Sequence, residues 1–334
     1  MHTPLIRLQI GNLTYGPQIA SLRLRRTRLP AVDRLDVVLP TGVRLDAAPG
    51  DDVMLELDGG EGGDTVFTGR VAEIRRRFDT VTVTARGGAD RLARARPSLA
   101  LDQVTAGGAI RRIATDADVQ PGEIADGPAL AVYAADGRAT ALAEVARLAG
   151  LSGASAHFDG NGRLSVPDPQ QPGEPHALRY GREILAAEAG DGDASDPVPH
   201  VVGEGGDPSG PQARWVLADF NRGSAGSGGA RRIALPEIRT RQDADKAATA
   251  LASARAARAK SVRLTTFLIP SLAPGLALQL ADMPGGMKLS RATVHQVVHT
   301  ISGTGGAVSN VWGTGFSAED GLLGGLLGSV GGLL

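Results

Sequence analysis

At 334 residues, with 42% hydrophobic and 21% charged side chains and a net charge of −1, the chain can bury a sizeable core in two or three domains, which excludes wholesale disorder and argues against indiscriminate binding of polyanions. It contains no cysteine, so disulfide staples, thiolate zinc sites and a cysteine nucleophile are excluded together. Aromatic residues make up 3% of the chain, too few for stacking platforms that hold single-stranded nucleic acid or sugar rings.

Strands are expected first, at Leu5 to Ile10, Ile19 to Arg26 and Arg34 to Leu39. A hairpin follows, in which Val53, Leu55 and Leu57 alternate with Asp52, Glu56 and Asp58. The run Gly59-Gly60-Glu61-Gly62-Gly63 then reverses the chain, and Val66 to Ile74 returns it. With Thr80 to Ala85 these segments make an antiparallel sandwich or barrel over residues 1 to 95. Around Val104 the period changes to that of a helix, with Ala109, Ile110, Ile113, Ala114 and Ala117 on one face. Thr140 to Ala149 reads as a second helix capped by Thr140 and ended by Gly150, before a hairpin around Asp159-Gly160-Asn161-Gly162. An α+β insert over about 97 to 167, within a middle unit of residues 96–180, is the economical reading.

Residues 167 to 230 are interrupted repeatedly by Pro and Gly, and Trp215 to Phe220 is the clearest strand among them. An alanine-rich helix is expected from Thr240 to Lys260, with Ala244, Ala247, Ala248, Leu251 and Ala254 on a thin apolar face. Strands at Val262 to Leu268, Leu276 to Leu280, Ala292 to Ser302 and Ala307 to Thr314 complete a second β region, residues 181–317 with the helix included. Residues 318–334 form a Gly/Leu-rich tail, whose last fourteen residues, Gly321 to Leu334, carry no charge and are too short to span a membrane. Its Leu322, Leu323, Leu326, Leu327, Leu333 and Leu334 are expected to pack, in an extended peptide, into a groove of a neighbouring subunit or partner. Residues 1 to 30 lack a signal-peptide pattern and no apolar run reaches spanning length, so synthesis in the cytoplasm is expected.

The "PGD.V.L.LDG" strand from Pro49, the "VFTGRV..I" strand from Val66 and the "VTVTARGGADRLARAR" of Val81 to Arg96 together resemble the baseplate hub proteins of contractile phage tails, a family that includes the phage late control D proteins. Val104 to Ala117 followed by Thr140 to Val166 is similar to the family's middle section of two helices and a "D..G.L.V" hairpin. The Thr240 helix, the Pro270-Ser271-Leu272-Ala273-Pro274-Gly275-Leu276 turn and the Val294 to His299 strand follow in the family's order, so the resemblance runs from about residue 20 to 315. It also extends to the hub portion of type VI secretion spike proteins. It implies two tube-like β-barrel or sandwich domains beside a small α+β domain, with three chains presenting six such domains to a hexameric tube ring. The implied partners are a homotrimer, the tube protein, a separate spike polypeptide and other baseplate or wedge proteins, assembled into a phage tail or injection particle. The spike is expected to be separate because the chain stops before the trimeric OB domain and β-helical needle of type VI spike proteins.

Other chemistry is poorly supported. His295-Gln296-Val297-Val298-His299 has the histidine spacing of a zinc protease motif, but Gln296 replaces the catalytic Glu and the valines favour a strand. In a strand the two rings share a face roughly 13 Å apart, too far for one metal. Asp191, Asp193 and Asp196 lack the Gly and the bidentate Glu of a calcium loop, and neither glycine cluster (59 to 63, 223 to 229) matches a phosphate loop. No catalytic residue, metal or cofactor is assigned. A particle-delivered effector or cell-wall hydrolase and a carbohydrate-binding tail-tip protein remain as alternatives, the latter disfavoured by the scarcity of aromatics. Arginine outnumbers lysine by 32 to 3, a skew that GC-rich coding explains better than selection for bidentate contacts at subunit interfaces does. Arg23 and Arg25 on one strand face, with Arg75 and Arg77, are the candidate partner surface, facing an acidic partner or the DNA that passes through a tail. Sequence-specific binding of nucleic acid is not expected. The bland alternative is a solvated face whose arginines deter edge aggregation.

Overall fold

The computed structural model describes residues 5–60, 62–169, 171, 173–192, 199–203, 222–224, 231–235, 237–238, 241–284, 287, 289–303 and 306–316. The strand expected at Trp215 to Phe220, the aspartates 193 and 196, most of the second glycine cluster and the Gly/Leu tail lie outside these residues.

Seven strands open the chain: β1 (Leu5–Ile10), β2 (Leu13–Tyr15), β3 (Ser21–Thr27), β4 (Arg34–Pro40), β5 (Asp52–Asp58), β6 (Gly63–Arg76) and β7 (Thr80–Gly87). Alternation decides their faces: Leu22 and Leu24, Leu35 and Val37, and Val53, Leu55 and Leu57 are all buried in one core. Each such side chain taken from water is worth about 1.5–3 kcal/mol, so this face alone fixes the register. At the β5–β6 reversal Gly60 and Gly62 adopt positive φ, as the sequence requires. The Asp58 carboxylate holds the turn by accepting from the amides of Gly60 (2.7 Å) and Gly62 (3.1 Å).

The insert comprises α1 (Ala89–Arg94), β8 (Ser98–Thr105), α2 (Ala106–Asp116), β9 (Pro121–Ile124), β10 (Ala129–Asp136), α3 (Ala141–Leu151), β11 (His157–Phe158) and β12 (Leu164–Val166). Thr105 and Thr140 cap α2 and α3, accepting from Gly108 N and Ala143 N. Gly150 does not end α3: the helix runs through it to Leu151, and the chain turns at Gly153, whose φ is +73°. Burial of Leu148, Ala149 and Leu151 carries the helix past the glycine.

The last third holds β13 (His176–Arg179), β14 (Ile184–Asp191), β15 (Pro199–Gly203), β16 (Arg222–Ser224), β17 (Arg231–Leu235), α4 (Arg241–Arg258), β18 (Lys260–Phe267), β19 (Ala277–Ala281), β20 (Arg291–Ser302) and β21 (Gly306–Phe316). By sequence α4 belongs with the second β region; by burial its Ala244, Ala247 and Ala248 join the core of the insert. A polar set bolts the same two parts together. Arg147 of α3 binds Glu237 and, at 3.1 Å, Glu144, which accepts from Tyr133 Oη at 3.0 Å. Arg147→Ala should cost about 2–3 kcal/mol in urea unfolding, because Glu237 is left buried without its cation. Glu237→Gln should cost clearly less; equal losses would mean that the charge is not what matters.

The two β regions share one sheet. Among the described residues it has thirteen strands, in the order β14-β18-β21-β20-β3-β4-β7-β6-β5-β1-β2, with β19 on β20 and β13 on β19. The seam is the antiparallel pair β3–β20, from Gln296 opposite Thr27 to Ser302 opposite Ser21. On the inner side Leu22 and Leu24 belong to the first core and Val297 and Val311 to the second. The architecture is mainly β, as expected from the sequence.

Candidate functional site

The outer face of the sheet carries the candidate arginines. Pairing registers place Arg25 opposite Arg34, Arg34 opposite Arg86 and Arg86 opposite Arg70, so four arginines align across β3, β4, β7 and β6. The neighbouring row reads Arg23, Asp36, Thr84 and Glu73, and Arg75 follows opposite Thr82. Arg23, Arg25 and Arg75 are thus brought onto one surface, whereas Arg77 lies beyond the end of β6 in the hairpin tip. Like charges placed directly opposite destabilise a sheet, so such a row persists where carboxylates or a partner balance it. Asp36 chelates Arg34 (2.8 Å), Glu73 chelates Arg75 (2.6 and 2.8 Å), Asp52 meets Arg70 (3.1 Å) and Asp90 meets Arg86 (3.1 Å). Burial pushes the Asp36 carboxyl up, but hydrogen bonds from Arg34 and Thr84 outweigh it and hold the group below the usual carboxylate range. Arg23 and Arg25 are exposed, and no salt bridge holds either of them among the described residues. This surface can accept anionic groups.

The inner side of the seam is different and was not visible as a site in the sequence. Arg26, next to the exposed pair, points inward and is buried, donating from Nη2 to the Phe158 carbonyl at 3.2 Å. Asp33 is buried beside it and accepts from Thr27 N at 2.7 Å. Burial pushes its carboxyl up to about 7, against the opposing pull of Arg26 and the Thr27 amide. His299 is fully buried, with Nδ1 2.8 Å from Ser309 Oγ. Burial, then the Arg26 charge, brings this imidazole down to about 3; His157 of β11 is brought down to about 4, by burial first. Among the described residues, Arg26 Nε, His157 Nδ1 and His299 Nε2 are buried without a hydrogen-bond partner. The only signal in the sequence was the alternation Leu22, Leu24, Arg26, which places the last residue on the core side.

The histidine spacing loses even the shared face expected for it. β20 bulges between Val294 and Gln296, so His295 is an extra residue beside Thr314 (3.4 Å) while His299 faces Ser309. Among the described residues no group of His, Asp and Glu is arranged to hold a metal, and no helix is long and apolar enough to cross a membrane.

No family model and no curated protein matches the chain. Solved structures do. The chain is similar to a tail protein from Neisseria meningitidis, with a TM-score of 0.68, 14% identity and coverage of 94% of this chain and 97% of that one. It is similar to the 43 kDa tail protein of prophage MuSo2 from Shewanella oneidensis, with a TM-score of 0.69, 13% identity and coverage of 93% and 98%. A third match is a component of the type VI secretion system of E. coli, itself structurally similar to the T4 bacteriophage tail proteins gp27 and gp5 (TM-score 0.62, 10% identity, coverage 93% and 77%). The chain has the fold of these tail proteins.

Proposed function

We propose that this chain, folded as phage tail proteins are, is a structural hub of a contractile phage tail or tail-like injection particle. Three copies associate about the tail axis and join the hexameric tail tube to a separate trimeric spike, with other baseplate proteins around them. One observation carries this reading: two β regions are fused edge to edge into a single sheet, so one chain presents two β regions joined by a paired seam. Three such chains offer six β regions, which suits a threefold part that must meet a sixfold ring. The arginine rows on the outer face supply positive charge for an acidic neighbour within the particle. The chain acts through assembly, without catalysis.

Native mass measurement tests the reading. The purified chain, alone or with its spike, should appear as a trimer, and a stable monomer under assembly conditions counts against it. A peptidoglycan zymogram run beside it should stay blank; a cleared band would favour the hydrolase alternative.

A further inference from the structure

The β6–β7 hairpin ends in a tip whose residues 76 to 79 are all exposed. β6 is 14 residues long, and past its end Arg77 N donates to Thr80 O at 2.8 Å, closing the turn. Thr41, from the loop after β4, donates to the Asp79 carbonyl through its amide (3.1 Å) and its hydroxyl (3.4 Å). The backbone of the tip is therefore held from two directions. On it stands Phe78, which is 101% exposed, while Phe67 and Phe158 are buried. Arg75 is neutralised by Glu73, but Arg76 and Arg77 are exposed and make no ion pair among the described residues.

We propose that this tip is a docking anchor: Phe78 enters an apolar socket on another protein of the tail, and Arg76 and Arg77 meet carboxylates on the socket's rim. The proposal rests on the hub reading. An aromatic ring with flanking arginines on a rigid backbone is the composition of an interface anchor, since little conformational freedom is lost on docking. The charge states the partner's chemistry: Arg76 and Arg77 leave the tip net positive even with Asp79 beside the ring, which calls for an acidic rim. A membrane fits less well, because a single ring offers too little apolar area for stable anchoring.

The test adds purified chain to tail particles assembled without it and follows incorporation by sedimentation, using the native chain and the variants Phe78→Ser, Phe78→Leu and Arg76→Glu/Arg77→Glu. All four should unfold at the same temperature, since the altered side chains are exposed. Native chain and Phe78→Leu should incorporate, while Phe78→Ser and the double charge reversal should lose at least tenfold. Incorporation of Phe78→Ser at the native level overturns the anchor and leaves the hub reading standing. Failure of the native chain to incorporate overturns both. Binding of the native chain to phosphatidylserine vesicles, lost in Phe78→Ser, would assign the tip to a membrane and overturn the protein socket.

Discussion

Replacing Gly160 by alanine should cost about 3 kcal/mol or more, since it forces a methyl group into backbone that has nowhere to go. A Cβ at this position would lie 1.8 Å from the Thr65 carbonyl oxygen and 2.8 Å from its carbon. Thr65 sits in β6 opposite Glu56 of β5, and from Gly69 on the same strand is also paired to β7, so the obstacle is held in place. The same approach lets Thr68 Oγ1 donate to Gly160 O at 2.8 Å, a bond that ties the insert to the first β region. Gly162, two residues on, is the control. Its Cβ would meet Thr68 no closer than 3.5 Å, and only its φ of +78° opposes a side chain, so Gly162→Ala should cost about 1 kcal/mol. Urea unfolding of the two variants measures the difference. Equal, small losses would show that the insert does not depend on this close approach.

Acidification should destabilise the folded chain through the buried histidines. His157 and His299 stay neutral in the folded protein down to about 4 and about 3, against an unfolded value of 6.5. Their contribution is therefore fully present above pH 6.5 and is lost as pH falls toward those folded values. Asp33 works in the opposite sense: its folded value of about 7 exceeds the unfolded 3.8, so its contribution is full below pH 3.8 and is lost as pH rises through 7. Between pH 6.5 and 4 the unfolded chain thus gains two protons at these sites and the folded chain keeps one. For these three groups the net loss is on the order of 1.4 kcal/mol per pH unit. Asp33→Asn removes the opposing proton and should roughly double the slope, whereas His299→Gln should flatten it. Denaturant midpoints taken from pH 4 to 8 give both slopes directly; a native profile flat below pH 6.5 would rule the account out.

Many of the strand positions were legible because Val53, Leu55 and Leu57 and the valines of β20 bury one face, and period two then leaves no choice of side. The capped helices were legible for a local reason, a threonine oxygen within reach of an amide three residues on. What could not be read was pairing between distant strands. β8 and β10 hydrogen-bond to each other across the helix α2, and neither segment shows clean alternation, as the mixed burial of β8 reflects. The inward turn of Arg26 was hidden inside a run of arginines that reads as surface, and the partners that make burial tolerable, Asp33 and the Phe158 carbonyl, come from other segments. The bulge at His295 likewise depends on the opposing strand β21, which no local pattern specifies.

The pairing of β3 with β20 also sets an order of events during synthesis. β3 leaves the ribosome early and can zip to β4 at once, but its other edge has no partner until residues 291–302 emerge. At elongation rates of about 5–20 residues per second that interval is roughly tens of seconds. Throughout it the nascent chain displays an open strand edge, the kind of surface on which unrelated chains polymerise. The outward-facing Arg23 and Arg25 stand on that strand, so their like charges keep the waiting edge from premature company.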